Sequence, residues 1–326
     1  MMRRVAITGA RGFLGSHLMD SFGSAGWQTV GVLRPGRQPR ESVQPPGDVR
    51  WVNAALEAES LAPVFEGCGV VIHLAGIAKA RDQASFDAVN VAGTEAVARA
   101  ANQAQSRVLF VSSQAAAGVG TREHPAREDE APQPMTAYGR SKLRAERVLA
   151  HTAQQPSVVV RPSAIYGPRD RQFLPLFRLA KRGWFLQVAN PHASFTLLHV
   201  EDFARALLLM AERLMADQIP GPLFLGHPTP QSAESVLRNI GRAVGRPYRA
   251  TRVPPWMLRV LAAVGEMEYR MGRIPLVDNA RLAELRADGF VCSTERARQT
   301  LGFTAAVDFE QGILRTADWY TAQGWL

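Results

Sequence analysis

Val5-Ala6-Ile7-Thr8-Gly9-Ala10-Arg11-Gly12-Phe13-Leu14-Gly15 is the stretch on which the reading of this 326-residue chain turns. Its first four residues form a short run of the kind found in strands covered on both faces. A turn with glycines at 9, 12 and 15 follows and leads into a helical segment. Glycines let the backbone turn tightly and approach a pyrophosphate, whose charge then sits on the amides and dipole of the helix N-terminus. A glycine pattern alone is weak evidence. Placed between a strand and a helix at the start of a βαβ unit, it predicts a dinucleotide cradle contacted by Gly9, Arg11, Gly12, Phe13, Leu14 and Gly15.

Outward from this loop, similar apolar runs recur at Thr29 to Leu33, Val49 to Val52, Val70 to Ala75, Val108 to Ser112 and Val158 to Arg161. Helix-length segments separate them. One is Gly93 to Asn102, where Ala96, Val97, Ala100 and Ala101 make an apolar stripe. Strands alternating with helices predict an α/β fold, a Rossmann-type doubly wound parallel sheet with right-handed crossovers. After Pro162 the rhythm breaks. Tyr166 to His192 is rich in Pro, Arg and aromatics, Phe195 to Val200 reads as a strand, and a helix follows from Phe203 to about Met215 with Asp202 as its cap. From Pro228 onward prolines separate short helical pieces. The expected organisation is a dinucleotide-binding domain over 1–165, rejoined by 193–227, and a smaller substrate-binding lobe made mainly of 166–192 and 228–326.

Composition narrows the function. The chain is 46% hydrophobic and 21% charged, an ordinary globular balance. Its 38 basic and 29 acidic residues give a net charge of +9. Only Lys79, Lys142 and Lys181 are lysines, and the arginines are dispersed rather than clustered, which argues against nucleic-acid binding. Cys68 and Cys292 cannot build a disulfide framework, and the histidines lack metal-ligand spacing, so neither disulfides nor a metal site are expected. No window is apolar for long enough to span a membrane. The apolar stretch of a signal peptide does not fit before Val5, so a cytoplasmic location is expected.

The end of the second strand distinguishes the two dinucleotides. A carboxylate there would bind the adenosine ribose hydroxyls, whereas arginine accommodates a 2′-phosphate. The chain has Arg34-Pro35-Gly36-Arg37 and no acid before Glu41, and Arg11 can reach the same place. Guanidiniums around one dianion suit bidentate phosphate binding, which predicts NADP rather than NAD.

Tyr138-Gly139-Arg140-Ser141-Lys142 places a tyrosine and a lysine on one face of a helix. Of the five tyrosines, only Tyr138 has a lysine four residues on. A phenol, with a reference pKa of about 10, is a poor base at neutral pH unless a nearby cation favours its ionised form. Tyr138 beside Lys142 can then exchange a proton with a substrate hydroxyl or carbonyl. Ser112-Ser113, at the end of a central strand, offers a hydroxyl to orient the same oxygen.

Together these motifs resemble the extended short-chain dehydrogenase/reductases, the NAD(P)-dependent epimerase/dehydratase family, with its 3β-hydroxysteroid dehydrogenase-like branch. The resemblance extends to His73-Leu74-Ala75-Gly76, Asn90-Val91-Ala92-Gly93-Thr94, Arg161-Pro162-Ser163-Ala164-Ile165-Tyr166-Gly167-Pro168, His199-Val200-Glu201-Asp202 and Leu301-Gly302-Phe303. It implies that Ser113, five positions before Gly118, is the catalytic serine. It also implies that Tyr138 is the acid/base and that Lys142 holds the nicotinamide ribose. Ala75 and Gly76 would face the cofactor, and the backbone after Pro162, including Ser163, its carboxamide. Asn90 would either order the cofactor loop or cap the following helix. The family also suggests a homodimer packed through the helices near Asn90 to Gln103 and Tyr138 to Ala150.

Three departures bear on the ligands. Ala55-Leu56 replaces a frequent Asp-Leu, leaving only an apolar contact from Leu56 to adenine. Ala117 replaces a frequent tyrosine. Ala164 replaces an asparagine that can bind a substrate diphosphate in many sugar-nucleotide enzymes. Gln114-Ala115 lacks the extra acids of the dehydratases. The expectation is therefore an NADP(H)-dependent oxidoreductase interconverting a small-molecule ketone or aldehyde and its alcohol by hydride transfer. Its substrate would be met by Gln114, Ala164 and Phe173, with an apolar wall from Pro254-Pro255-Trp256-Met257-Leu258, Val260 and Leu261. The alternatives are a nucleotide-sugar epimerase or 4-ketoreductase using Arg169, Arg171 or Arg273, and a non-catalytic NADP-binding protein.

Overall fold

The computed structural model describes residues 3–39, 44–188, 190–252 and 289–326, together with isolated positions 257, 260, 263, 264, 267 and 287. Most of the expected apolar wall, along with Arg273 and Glu41, lies outside the described residues. Met257 and Val260 are described, as exposed helical positions.

Seven parallel strands form the central sheet. Six come from the first half: β1 (Arg4–Thr8), β2 (Gln28–Leu33), β3 (Val49–Asn53), β4 (Val70–His73), β5 (Arg107–Val111) and β6 (Ser157–Pro162). Short strands follow as β7 (Ala164–Tyr166), β8 (Phe185–Gln187), β9 (Ser194–Phe195) and β10 (Leu197–His199). β11 (Leu223–Leu225) then returns to the sheet, whose order is β11-β6-β5-β4-β1-β2-β3. This is the doubly wound arrangement expected from the alternating pattern.

Successive side chains of a strand point to opposite faces, and this divides the core into two layers. Val5 and Ile7 of β1, Ile72 of β4 and Leu109 of β5 face one layer, with Leu18 and Phe22 of helix α1 (Phe13–Ser24). Ala6, Val71, Val108 and Phe110 face the other. There they meet α2 (Ala58–Phe65) and, after the short helix α3 (Gln83–Phe86), α4 (Ala92–Gln103) and α5 (Ala137–Thr152). Each fully buried side chain of the size of Ile7 or Leu109 contributes about 1.5–3 kcal/mol.

Beyond β6 come α6 (Leu174–Lys181), α7 (Val200–Ala216) and α8 (Ala233–Ala243), with two further helices at Glu295–Leu301 and Phe309–Ala322. α7 covers the α1 face of the sheet through Phe203, Leu207 and Met210. α6, α8 and Phe309–Ala322 share a separate cluster around Phe177, Ile240 and Tyr320.

Several sequence expectations shift. The stretch from Phe195 to Val200 is divided: Phe195 and Thr196 follow Gly289–Phe290, with the Thr196 amide on Phe290 O, β10 pairs instead with β7, and Val200 opens α7. α7 begins three residues earlier than expected. Its cap is His199, which accepts from the Glu201 amide, rather than Asp202. Asp202 lies inside the helix, accepting from the Ala306 and Val307 amides at 2.9 and 2.8 Å, so a distant segment takes the carboxylate that the local sequence offered as a cap. β4 ends at His73, and Leu74 and Ala75 lie beyond the strand. Among the described residues, no helix is long and apolar enough to cross a membrane.

Candidate active site

The candidate residues gather where β1, β4, β5 and β6 end, the edge at which doubly wound sheets bind ligands. Gly9 adopts φ +72°, and a Cβ there would stand 2.9 Å from the Ala75 amide nitrogen. A Cβ on Gly15 would meet Gly9 O at 2.4 Å. Both glycines are therefore required by close backbone contact, and the loop lies open at Arg11 and Gly12, which are exposed ahead of α1.

A relay of hydrogen bonds fixes the segment after β4. The Ala75 amide donates to Thr8 Oγ1 at 3.1 Å, and Thr8 Oγ1 lies 2.8 Å from His73 Nδ1. On the other side, His73 Nε2 lies 3.1 Å from Thr94 Oγ1, which itself donates to Asn90 O at 2.7 Å. Because the Thr94 proton is committed to Asn90, His73 donates from Nε2, and a neutral ring accepts at Nδ1 from Thr8 Oγ1. Complete burial agrees, pushing the His73 pKa down to about 3.

Asn90 sits in a π-helical turn, Asp87–Val91, and does not cap the helix that follows. Its Oδ1 accepts from the Ile77 amide at 2.8 Å, and its Nδ2 donates to Ile77 O at 3.0 Å and to Ser141 Oγ at 2.9 Å. Of the two roles open in the sequence, this geometry is that of ordering the loop. Gly76 passes so close that a Cβ would come within 2.9 Å of Asn90 Oδ1.

In the glycine loop and after β2, Arg11, Arg34 and Arg37 are exposed, and none forms a salt bridge among the described residues. Arg11 Nε donates to Gln38 O at 2.9 Å, which brings the glycine loop to the segment after β2. The Arg34–Arg37 turn is closed by the Arg37 amide on Arg34 O, and the Asn53 amide, in its satisfied orientation, donates to both carbonyls at 2.7 and 3.0 Å. Leu56 packs over Gly93, where a Cβ would stand 3.2 Å from Leu56 Cδ1.

Beyond β5, Ser113 opens a 3-10 turn. Its Oγ accepts from the Ala115 amide at 3.2 Å, which leaves the hydroxyl proton available. Ser112 is differently placed: its Oγ donates to Glu146 Oε1 at 2.5 Å. Tyr138 stands in the first turn of α5, whose cap Thr136 accepts from the Gly139 amide, and its ring lies 6.0 Å from that of Phe86. Gly139 allows the helix to press onto the serine turn, since a Cβ there would be 2.2 Å from Ala115 O. Lys142 is buried, donates to Val111 O at 2.7 Å and stands 4.3 Å from the Phe110 ring centroid. Burial lowers its pKa to about 7, and the Glu146 charge opposes the shift.

Two buried polar atoms near these residues have no partner in the structure, Ser163 Oγ and Gln114 Nε2. Ser163 follows the terminal Pro162 of β6, where a bound carboxamide was expected. With the glycine cradle and the exposed arginines, this orphaned hydroxyl fits a nicotinamide dinucleotide. Ala164 is exposed at the start of β7, while Phe173 is half-buried against Tyr166 at 6.0 Å, in the cluster of α6 and α8. Arg169 pairs with Asp20 of α1 at 2.7 Å, and Arg171 lies 4.9 Å from the Trp325 ring centroid.

Sequence reasoning missed Glu146, Arg161 and Gly139. Arg161 carried a signal: a charged residue closing an otherwise apolar strand needs a buried partner.

The profile of the NAD dependent epimerase/dehydratase family matches residues 5–226. This chain belongs to that family. The ceramide reductase of Caulobacter vibrioides is 31% identical over 324 residues, covering 99% of this chain and 96% of that protein. The 4-hydroxy-2-methyl-3-oxo-4-farnesyl-3,4-dihydroquinoline-1-oxide ketoreductase of Stigmatella aurantiaca is 28% identical, covering 95% of this chain and 94% of that protein. The Bordetella bronchiseptica enzyme WbmG, solved with NAD and UDP, superposes with a TM-score of 0.77 at 22% identity, over 100% of this chain and 96% of that one. The family member described here is an oxidoreductase enzyme, and the last likeness shows its fold.

Proposed function

We propose that this oxidoreductase interconverts an apolar ketone or aldehyde and the corresponding alcohol, using NADP(H) and the set Ser113, Tyr138 and Lys142. The observation that carries the proposal is the packing of the serine turn under Gly139, which brings a hydroxyl with a free proton to the helix bearing Tyr138 and Lys142. Bound nicotinamide would supply or accept the hydride. Ser113 and Tyr138 would bind the reacting oxygen, with Tyr138 giving its phenolic proton as a carbonyl is reduced and regaining it in the reverse direction. Lys142 would hold the ribose and favour the tyrosinate electrostatically.

Gly9, Gly12, Phe13, Leu14 and Gly15 would hold the pyrophosphate side, Leu56 the adenine, and Ala75, Gly76, Pro162 and Ser163 the nicotinamide side. Asn90 would act through Ile77. The preference for NADP rests on Arg11, Arg34 and Arg37, three exposed guanidiniums without a carboxylate at the end of β2.

The apolar substrate class is supported by the names of the two relatives and by Ala164, which offers no amide to a diphosphate. Engagement of Arg169 with Asp20 weakens the sugar-nucleotide reading further. In this proposal 166–192 and 228–326 form the substrate lobe, in which Phe173 and Gln114 contribute to the pocket, and two copies pair through α4 and α5. A screen of NADPH oxidation across apolar ketones, aldehydes and nucleotide-sugar ketones tests the function. Turnover of the apolar carbonyls is expected, and hydride transfer confined to sugar nucleotides overturns it.

A further inference from the structure

Glu146 lies one turn beyond Lys142 on α5 and is buried with it. Three donors use its carboxylate: Ser112 Oγ at 2.5 Å and Arg161 Nε at 3.0 Å on Oε1, and Arg161 Nη2 at 2.6 Å on Oε2. The Arg161 side chain, only 4% exposed, comes from β6 and lies 5.8 Å from the Phe224 ring centroid of β11. One carboxylate thus joins α5 to the ends of β5 and β6.

The arrangement around β5 is more specific than a cross-brace. Lys142 donates to the carbonyl of Val111, while Glu146 accepts from the side chain of Ser112. Two side chains one helical turn apart therefore grip two consecutive residues, and the next residue along the chain is Ser113. A buried ion pair is costly to desolvate and often no more stabilising than well-packed apolar residues. Stability alone is a weak reason for this pair to stand beside the serine turn.

We propose that Glu146 is a positioning residue: through Ser112 it sets Ser113 against Tyr138, and its carboxylate, held by Arg161 one helical turn from Lys142, is the anion that favours the charged form of that buried lysine. The proposal rests on the reading of Ser113, Tyr138 and Lys142 as the reacting set. The charged and titratable groups around Lys142 are few. Glu146 and the Tyr138 phenol belong to its own helix, Arg161 stands behind Glu146 on β6, and burial keeps His73 of β4 neutral. Glu146 is then the anion that offsets the burial of the ammonium.

The scarcity of lysine makes the test direct. Labelling Lys79, Lys142 and Lys181 with 13C at Cε gives three signals, and Lys142→Met assigns the one of interest. Titration of the protein without substrate or cofactor is expected to show the Lys142 midpoint falling by about one unit or more in Glu146→Gln, as removal of a neighbouring opposite charge requires. Ser112→Ala keeps that charge and removes the tether. Its Lys142 midpoint should match the wild type, while kcat falls on the order of tenfold with KM little changed. Glu212→Gln, at an exposed carboxylate of α7 paired with Arg3, should change neither quantity.

If Glu146→Gln does not fold, Glu146→Gln combined with Arg161→Gln leaves no orphan charge; its Lys142 midpoint should still fall, but by less, because loss of the more distant Arg161 cation offsets part of the loss of the anion. An unmoved Lys142 midpoint in the folded variant, or full kcat in Ser112→Ala, overturns the proposal. Because the titration needs no turnover, a shifted midpoint together with an active Tyr138→Phe enzyme would remove the catalytic reading alone.

Discussion

Gly139 rests on the backbone of Ala115 so closely that a Cβ would stand 2.2 Å from the Ala115 carbonyl oxygen. The contact sets the separation between the helix of Tyr138 and the turn of Ser113. Neither partner is the end of a flexible side chain, so added volume must displace backbone. Gly139→Ala is expected to lower kcat by roughly a hundredfold, the scale of a small misplacement of reacting groups. Dinucleotide affinity should stay within a few-fold, because the glycine cradle is built on β1 and β4. Steady-state kinetics beside a binding titration separates the two effects, and an unchanged kcat would contradict the proposed set.

The link from Arg11 to Gln38 places the glycine loop and the Arg34–Arg37 turn on one side of the cradle. Loss of one guanidinium from a phosphate site removes a charge-assisted hydrogen bond, about 1.5–3 kcal/mol. Arg34→Ala should therefore weaken NADPH binding by roughly tenfold or more while leaving NADH nearly unchanged. Fluorescence titration with both dinucleotides checks this, and equal affinities in variant and wild type would exclude a 2′-phosphate at Arg34.

Tyr138→Phe removes the phenolic proton with little change of shape. Turnover should drop by about 10²–10⁴-fold, the usual contribution of a general acid or base, with the cofactor still bound. Ser113→Ala should reduce turnover by a smaller factor, since Tyr138 still reaches the oxygen. Single-turnover measurements at saturating cofactor would expose a failure: persistence of the wild-type rate in Tyr138→Phe.

His73 and His199 are buried and neutral, with pKa values pushed by burial down to about 3 and about 4. The unfolded chain takes up protons at both near pH 6.5, where the native state refuses them. Since stability rises with pH wherever the unfolded state binds more protons, it must fall as pH drops from about 6.5 toward 4. Thermal melts across this range should show Tm declining, and His199→Gln should make the decline shallower. A Tm flat from pH 7.5 to 4.5 would contradict the neutral assignment.

The fold was legible from β1 to β6 because the strands inside the sheet are covered on both faces and so carry largely apolar runs, while the edge strand β3, with Arg50 and Asn53 exposed, kept only Val49, Trp51 and Val52 as its signal. Tyr138 and Lys142 were legible because residue type and spacing within a single helix express their chemistry. Legibility failed where partners are remote. Glu146 meets Arg161 across 15 residues and Ser112 across 34, so no local pattern contains the trio. The cap of α7 shows the same limit, because Asp202 is drawn to amides more than a hundred residues away. β7, three residues long and among the described residues paired only with β10, is too short to leave a periodic signature.

The π-helical turn at Asp87–Val91 makes chain length itself part of the site. It holds one residue more per turn than an α-helix, and Asn90 reaches Ile77 and Ser141 from within it. Deleting any one residue there would restore ordinary winding and swing the positions before the deletion by about 100° relative to α4. A relative aligned with a one-residue gap here, even one keeping every side chain discussed above, would hold its cofactor loop differently. Such a gap belongs among the functional differences between family members, alongside changes of residue.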